Sequence, residues 1–293
     1  MDSETLARHF DELRPHLTSV AYQVVGSLPD AEDAVQTAWL KAAQSDAQDI
    51  ANPAGWLTTI TVRAALDALR ARHRRRETAL DSAAMAEPLV ESAEEKALLS
   101  YSVDRALLVV LDRLSPAERV AFVLHDVFAL PFDQIAAILD RSSDTARKLA
   151  SRARAKIHPP PDAVHPETDR HTEIVTAFLA ASAGGDIPAL LQLLAPDVLR
   201  TVDPVAAPPG TPARVRGARE VVEETRQFAA RARMAAVVLI DGRPGVAIAP
   251  GGRLAAIITA TIGPDGLIHD IRISAESHTL AAARLTLPAA GMM

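Results

Sequence analysis

The chain has 293 residues, enough for two or three compact units, and is 48% apolar but only 3% aromatic, so its cores rest on Ala, Val, Leu and Ile. With no cysteine, disulfides, thiolate zinc sites and thiol nucleophiles are excluded. A net charge of −6 argues against gripping DNA unaided, because proteins that do so through many phosphate contacts are usually basic.

The opening residues MDSETLARHF are polar and acidic, unlike a signal peptide, and no window reaches the roughly 18 uninterrupted apolar residues of a membrane span. A soluble, cytoplasmic protein with no membrane contact is expected. Phe10, Leu13, Leu17, Val20, Ala21 and Val24 keep helical spacing until Gly26. Proline and acids at Pro29 to Asp33 open a second helix, whose apolar side is Ala34, Val35, Ala38 and Trp39. After a polar loop, Gln44 to Pro53, a third helix carries Trp56, Leu57, Ile60, Val62, Ala65, Leu66 and Leu69. It ends in the basic run Arg70, Arg72, Arg74, Arg75 and Arg76. Residues 77–95 read as a linker containing Pro88.

Helices resume near Glu94, and LSPAERVAFVLHDVFALPFDQIAAILDRSSDTARKLASRARAKI, residues 114–157, reads as three short ones. The last two form a helix-turn-helix. Phe132, Ile135, Ala136 and Leu139 share a face, Asp140 to Ser142 is the turn, and Ser142 or Ser143 caps the next helix with Asp144 in its first turn. That helix buries Ala146, Leu149 and Ala153 and turns Arg147, Lys148, Ser151, Arg152 and Arg154 outward. A cationic, hydroxyl-bearing helix in a three-helix unit suits the major groove.

A proline-rich break at 159–170 follows. Two short helices are then expected, Thr172 to Ala183 and Pro188 to Leu194, and a third over Gly217 to Ala232. Four apolar stretches punctuated by Gly, Pro and Asp turns read as a strand meander. Helices followed by a meander indicate an α+β domain, spanning 171–285.

Three separated stretches in this order resemble an extracytoplasmic-function sigma factor. HLTSVAYQVVGSLPDAEDAVQTAWLKA looks like the family's opening helix pair, NPAGWLTTITVRAALDALRAR like its promoter-melting helix, and residues 114–157 like its region four. The remainder resembles a SnoaL-like domain of the NTF2-like superfamily, a cone of helices against a curved sheet. The fold class implied is multidomain: an all-α region two over residues 1–76, an all-α region four over 96–158, and the α+β cone. The function implied is binding of core RNA polymerase and recognition of promoter DNA, with regulation by the cone. No catalysis, cofactor or metal is expected.

The resemblance places polymerase contact at Asp30, Glu32, Asp33, Gln36, Trp39 and Leu40; acids beside an aromatic suit a basic coiled coil. The plainer reading makes the acids a solvated helix start and Trp39 core. Contact with the minus-ten element falls to Asn52, Trp56, Thr58, Thr59, Arg63 and Arg70, on and beside the loop where the family captures unpaired bases. The minus-thirty-five element falls to Ser143, Asp144, Arg147, Lys148, Ser151 and Arg152; a bidentate arginine–guanine contact contributes about 1–3 kcal/mol of discrimination. The Arg70 to Arg76 run suits the DNA backbone or is a solvated helix end. Glu87 and Pro88 resemble an acidic-proline motif of the family's linker. The family's glycine-rich Asp-Gly-Gly-Gly-Lys stretch falls near Asp203, where this chain reads DPVAAPPG, and its terminal Asn-Pro-Asp motif falls where the chain reads SAESH. Glu87, Pro88 and Asp203 are the expected interdomain control residues.

Two rivals have distinct signatures. An enzyme would use Asp203, Asp241, His269, Asp270 or His278 for proton transfer in the cone. However, Asp241 suits a hairpin turn, and adjacent His269 and Asp270 point to opposite faces of a strand. A helix-turn-helix repressor would bind palindromic half-sites as a dimer. A small-molecule ligand in the aliphatic cone is a further expectation.

Overall fold

The computed structural model describes residues 3–45, 50, 52–78, 105–158 and 167–288. Glu87, Pro88 and most of both expected linkers lie outside these residues. The described residues fall into two compact units.

In the first unit, α1 (Ser3–Val25) buries Leu6, Phe10, Leu17, Val20, Ala21 and Val24. Gly26, at a φ of 78°, ends it and donates to the Tyr22 carbonyl, a left-handed position that costs glycine nothing. Helix α2 (Leu28–Ala43) has Ser27 as its N-cap and Pro29 in its first turn, and buries Ala31, Ala34, Val35, Ala38 and Ala42. Small side chains let α2 lie close to its neighbours. Helix α3 (Pro53–Thr78) starts at Asn52, whose Oδ1 accepts the Gly55 N–H at 3.0 Å, and buries Leu57, Val62, Ala65, Leu66 and Leu69. The three helices pack on one another, and each fully buried Leu or Val contributes about 1.5–3 kcal/mol.

Helix α4 (Arg105–Leu111) belongs to the second unit. The chain returns to the first with α5 (Pro116–Phe122), which opens on a capping box: Glu118 N–H donates to Ser115 Oγ, and Ser115 N–H donates to Glu118 Oε2 at 3.0 Å. It runs on as a π-helical turn over Val123–Val127. Helices α6 (Phe132–Leu139) and α7 (Ser143–Ile157) complete the predicted trio. Both α5 and α6 pack against α3.

In the second unit α8 (Thr168–Gly184) begins four residues before the expected start, because its first turn, Thr168 to His171, is too polar to register in an apolar period. Gly185 ends it at a φ of 68°. Asp186 accepts the Ala189 N–H at 3.1 Å and starts α9 (Ile187–Leu193). Next come β1 (Leu194–Val202), β2 (Arg214–Arg216), α10 (Ala218–Gln227) and α11 (Ala229–Ala232). The expected meander follows as β3 (Ala235–Ile240), β4 (Arg243–Ile248), β5 (Ala256–Ile262) and β6 (Ile268–Ser274). Helix α12 (Ser277–Ala282) and β7 (Leu285–Thr286) close the described chain.

The sheet order is β2-β1-β6-β5-β4-β3-β7, with β1 parallel to β6 and every other pair antiparallel. It is therefore more than a meander. Strand β1 escapes the sequence pattern because Pro196 and Asp197 interrupt it. They sit where the ladder with β6 slips between Leu194 and Leu199, the kind of irregularity that accommodates proline in a sheet. Helices α8 and α10 lie on the sheet and enclose a core of Phe178, Leu190, Val198, Val221, Val222, Ile268 and Ile271. Helix α4 packs on β3, and Arg113 just after it donates to the Leu280 and Ala283 carbonyls around the end of α12.

Candidate nucleic-acid interface

Helix α7 is prepared for display at both ends of the turn that precedes it. Asp140 closes α6 in the left-handed region (φ 55°, ψ 55°), and the Arg141 N–H bonds the Ala136 carbonyl, a Schellman-type stop. Ser142 is the cap: its Oγ accepts the Thr145 N–H at 3.2 Å. The buried side of α7 is Ala146, Ala150, Ala153 and Ile157. Leu149, expected to be buried, is only half-buried. Asp144, Arg147, Lys148, Ser151 and Arg152 are exposed along the opposite side, and Ser143 is half-buried at the tip.

This stripe is partly organised in advance. The Arg147 guanidinium bonds Asp144 at 3.2 Å and lies 5.6 Å from the Phe132 ring centroid. Arg154, expected to point outward, turns toward Asp126 and makes a two-pronged pair at 2.7 and 3.1 Å. It therefore braces α7 from behind.

The candidates on α3 are more committed to their own fold. Asn52 spends its carbonyl oxygen on capping. Thr58 is buried and Thr59 half-buried, and their hydroxyls donate to the Ala54 and Gly55 carbonyls, both at 2.8 Å. Trp56 is half-buried. Arg63 is exposed and donates to the Ala137 carbonyl on α6 at 2.7 Å. Arg70 lies 3.7 Å from Asp67.

On α2 the proposed contact residues divide into two kinds. Asp30 pairs with Arg72 of α3 at 3.1 Å, and Trp39 packs its ring 4.9 Å from that of Phe10; both hold the bundle together. Glu32, Asp33 and Gln36 are exposed, and Leu40, one helical repeat beyond Asp33, is 60% exposed. Together they give α2 an acidic, solvent-facing side with one exposed leucine at its end.

Comparison with known proteins assigns these helices. Residues 9–75 match the model of Sigma-70 region 2, and residues 104–157 match that of Sigma-70, region 4. The ECF RNA polymerase sigma factor SigJ of Mycobacterium tuberculosis (strain ATCC 25618 / H37Rv) is 43% identical over 219 residues, covering 73% of this chain and 70% of SigJ. The chain belongs to the extracytoplasmic-function sigma factors. A probable ECF RNA polymerase sigma factor, SigI, from the same organism is 38% identical over 194 residues, 65% of this chain and 67% of SigI. The crystal structure of M. tuberculosis SigJ matches across 94% of this chain and 98% of its own, at 34% identity and a TM-score of 0.45. Members of this family are transcription initiation factors, not enzymes; they bind core RNA polymerase and promoter DNA.

Within this sigma factor, sequence reasoning passed over a buried cation. Arg119 of α5 is 1% exposed, and its Nε and Nη2 donate to the Gln23 carbonyl of α1 at 3.2 and 3.1 Å. Its guanidinium lies over Gly26, where a Cβ would meet Nη2 at 2.8 Å. One arginine thus fastens a region-four helix to a region-two helix. The available signal was a charge directly before the apolar run VAFVL, but the partner lies 96 positions away.

The Asp203 carboxylate is spent inside its own unit. It accepts the Ala206 N–H at 2.7 Å, the Ser274 hydroxyl at 2.6 Å, and the Ala275 and Glu276 N–H groups at 2.8 and 3.2 Å. Burial opposes its charged form, yet these donors outweigh burial and hold its pKa below the ordinary value. None of Asp203, Asp241, His269, Asp270 or His278 lines the cavity beside the sheet. Asp241 sits in a turn and accepts the Arg284 N–H; His269 pairs with Asp265, and Asp270 with Arg272. No helix among the described residues is long and apolar enough to cross a membrane.

Proposed function

We propose that this sigma factor docks on core polymerase through Glu32, Asp33, Gln36 and Leu40 and reads the minus-thirty-five element with Arg147, Lys148, Ser151 and Arg152 of α7. Ser143 and Asp144 form the tip of that reading helix. The start of α3 serves the minus-ten element: Asn52 and Trp56 border the base-capturing loop, Arg63 and Arg70 meet phosphate, and Thr58 and Thr59 shape the helix behind them. Asp30 and Trp39 act from behind the docking face by fixing α2 on its neighbours. Residues 1–76 and 96–158 act as the two promoter modules and residues 171–285 as a SnoaL-like cone that regulates them, joined by linkers at 77–95 and 159–170. Glu87 and Pro88 belong to the first linker's control contact, and Asp203 contributes by setting the shape of the loop it closes. The protein works in the cytoplasm, and its cone holds a small molecule.

The observation that carries the DNA-reading assignment is the exposed stripe on α7, with three cations around a hydroxyl on a helix whose other side is buried and braced. The test is transcription in vitro from a target promoter by core polymerase supplemented with this chain. Arg147→Ala with Arg152→Ala lowers promoter-specific transcripts by at least about tenfold, given about 1–3 kcal/mol per lost base contact. Core polymerase binding is unchanged in the same variant. Unaltered transcription would remove α7 from promoter reading, and unaided binding to a palindrome would favour a repressor.

A further inference from the structure

The second unit contains an apolar cavity of about 100 Å³ between α8, α10, α11 and the inner face of the sheet. Phe178, Val202, Val246, Ile258 and Ile271 make up much of its wall. Two of the hydroxyls that line it are turned to the backbone: Ser182 donates to the Phe178 carbonyl and Thr225 to the Val221 carbonyl, both at 2.7 Å. Thr211 adds a third hydroxyl at the wall.

Three charged side chains border the cavity, and they do not cancel. Arg200 is 3% exposed; its Nη2 donates to both oxygens of Glu224, and its Nη1 donates to the Pro212 carbonyl at 2.8 Å. That pair is neutral and closed on itself. The remaining charge is Arg231 of α11, half-buried, with its guanidinium 5.4 Å from the Phe228 ring centroid. No carboxylate pairs with Arg231 among the described residues. An apolar chamber with one uncompensated guanidinium at its wall has the complement of an amphiphilic monoanion: apolar body inside, carboxylate on the arginine fork.

We infer that the cavity is a binding site for a small apolar carboxylic acid, of about one ring in size, with Arg231 holding the carboxylate. At about 100 Å³ the cavity is smaller than those of about 150 Å³ that accept benzene, so one ring is the upper limit of the apolar body, with the carboxylate outside it on Arg231. Glu224 sharpens the choice. Both of its oxygens already accept from Arg200, so it offers a ligand cation little. Among the described residues, Arg231 is then the one charge at the wall left for a ligand, and it matches a single carboxylate. This rests on the proposal that the cone holds a small molecule, and it names the molecule's chemistry.

The test uses the full chain without polymerase or DNA, so its outcome is independent of the promoter-reading proposal. Benzoate and benzamide have nearly the same shape and differ in charge. Calorimetric titration gives saturable one-to-one benzoate binding with a dissociation constant below about 1 mM, and benzamide at least about tenfold weaker. Arg231→Gln, at a half-buried position that fastens no other element, brings benzoate to the level of benzamide. Ala235→Phe, which fills the cavity from β3, removes both. Benzamide binding as well as benzoate, or Arg231→Gln leaving benzoate unaffected, overturns the carboxylate assignment. Absence of saturable benzoate binding, or full binding to Ala235→Phe, overturns the site itself. Co-purification with core polymerase, run beside these titrations, reports on the initiation role alone.

Discussion

Arg119 offers the sharpest quantitative check on how the two helical regions are held together. Arg119→Ala removes two hydrogen bonds from a charged donor group to one acceptor, the Gln23 carbonyl, and leaves a space where a guanidinium filled the gap above Gly26. A hydrogen bond involving a charged group contributes about 1.5–3 kcal/mol, and truncating a large buried side chain adds a cavity penalty of similar size. The two bonds share an acceptor and are not additive, so the expected loss is about 3–4 kcal/mol. For a domain whose total stability is about 5–15 kcal/mol and whose urea slope is about 2 kcal/mol per molar, the unfolding midpoint falls by about 1.5–2 M. Gly26 supplies an internal control. Gly26→Ala introduces a Cβ at a positive φ, a backbone cost of about 1 kcal/mol, and also brings that Cβ to 2.8 Å from Arg119 Nη2. Only the second part depends on Arg119, so in an Arg119→Ala background the cost of Gly26→Ala shrinks by about 0.5–1 kcal/mol. A loss below about 0.5 kcal/mol for Arg119→Ala, which is what surface substitutions show, together with additive behaviour of the pair, would refute the idea that this arginine joins the regions.

Three other outcomes follow from single contacts. Asp203→Asn weakens four hydrogen bonds to a carboxylate and destabilises the second unit by about 2–3 kcal/mol, read by urea unfolding. Because the folded pKa of Asp203 is depressed, its contribution is complete above the ordinary aspartate value of about 3.9 and is lost as pH falls through the lower folded value. The wild type therefore loses more stability between pH 6 and pH 2, taken as approximate limits, than Asp203→Asn does; equal losses would exclude the carboxylate as the staple. Ser142→Ala removes the cap of α7 at a cost of about 1 kcal/mol, whereas Asp140→Gly relieves the left-handed turn and gains about 0.5–1 kcal/mol, both measured by thermal unfolding. Leu40→Ser leaves thermal stability within about 0.5 kcal/mol, since the side chain is 60% exposed, but lowers affinity for core polymerase at least about tenfold.

The local parts of this molecule could be read from neighbouring residues, and the distant parts could not. Helix α2 begins at Leu28 behind the Ser27 cap, with Pro29 and Asp30 in its first turn as capping chemistry requires, and α7 starts behind Ser142 for the same reason. The four meander strands stood out because Gly and Pro-Asp turns bracket apolar runs. Strand β1 did not, because its parallel pairing with β6 is a tertiary contact and its sequence contains a proline and an aspartate. The seam of α7 illustrates the limit of periodicity. An apolar side through Leu149 fits the helical repeat, but the buried line runs through Ala146, Ala150, Ala153 and Ile157, which leaves Leu149 at its margin. Among the proposed site residues, the exposed positions on α7 followed from amphipathicity, whereas those on α2 came from the family resemblance. The roles of Arg63, Arg119, Arg154 and Arg200 did not, since each meets a partner between 12 and 96 residues away.

The reading stripe of α7 also sets how the protein should respond to salt. It offers Arg147, Lys148 and Arg152, with Asp144 already taking part of the Arg147 charge. If each cation displaces one condensed counterion, the logarithm of the binding constant falls with the logarithm of salt at a slope of about −2 to −3 for this module, against about −10 for a repressor that binds its operator alone. The chain's net charge of −6 opposes approach to a polyanion at low salt, when screening is weakest. Polymerase therefore has to supply the remaining phosphate contacts, and the holoenzyme's salt slope should exceed that of the free chain by more than the three cations of α7 can explain. Replacing Lys148 with Gln lowers the holoenzyme slope by about 1 and leaves sequence preference intact, as removal of a phosphate contact requires. Replacing Arg152 with Gln, if it meets a base, relaxes preference at one promoter position instead. Binding titrations over a salt series on matched and mismatched promoters separate the two, and a free chain with a slope steeper than about −5 would contradict dependence on polymerase for affinity.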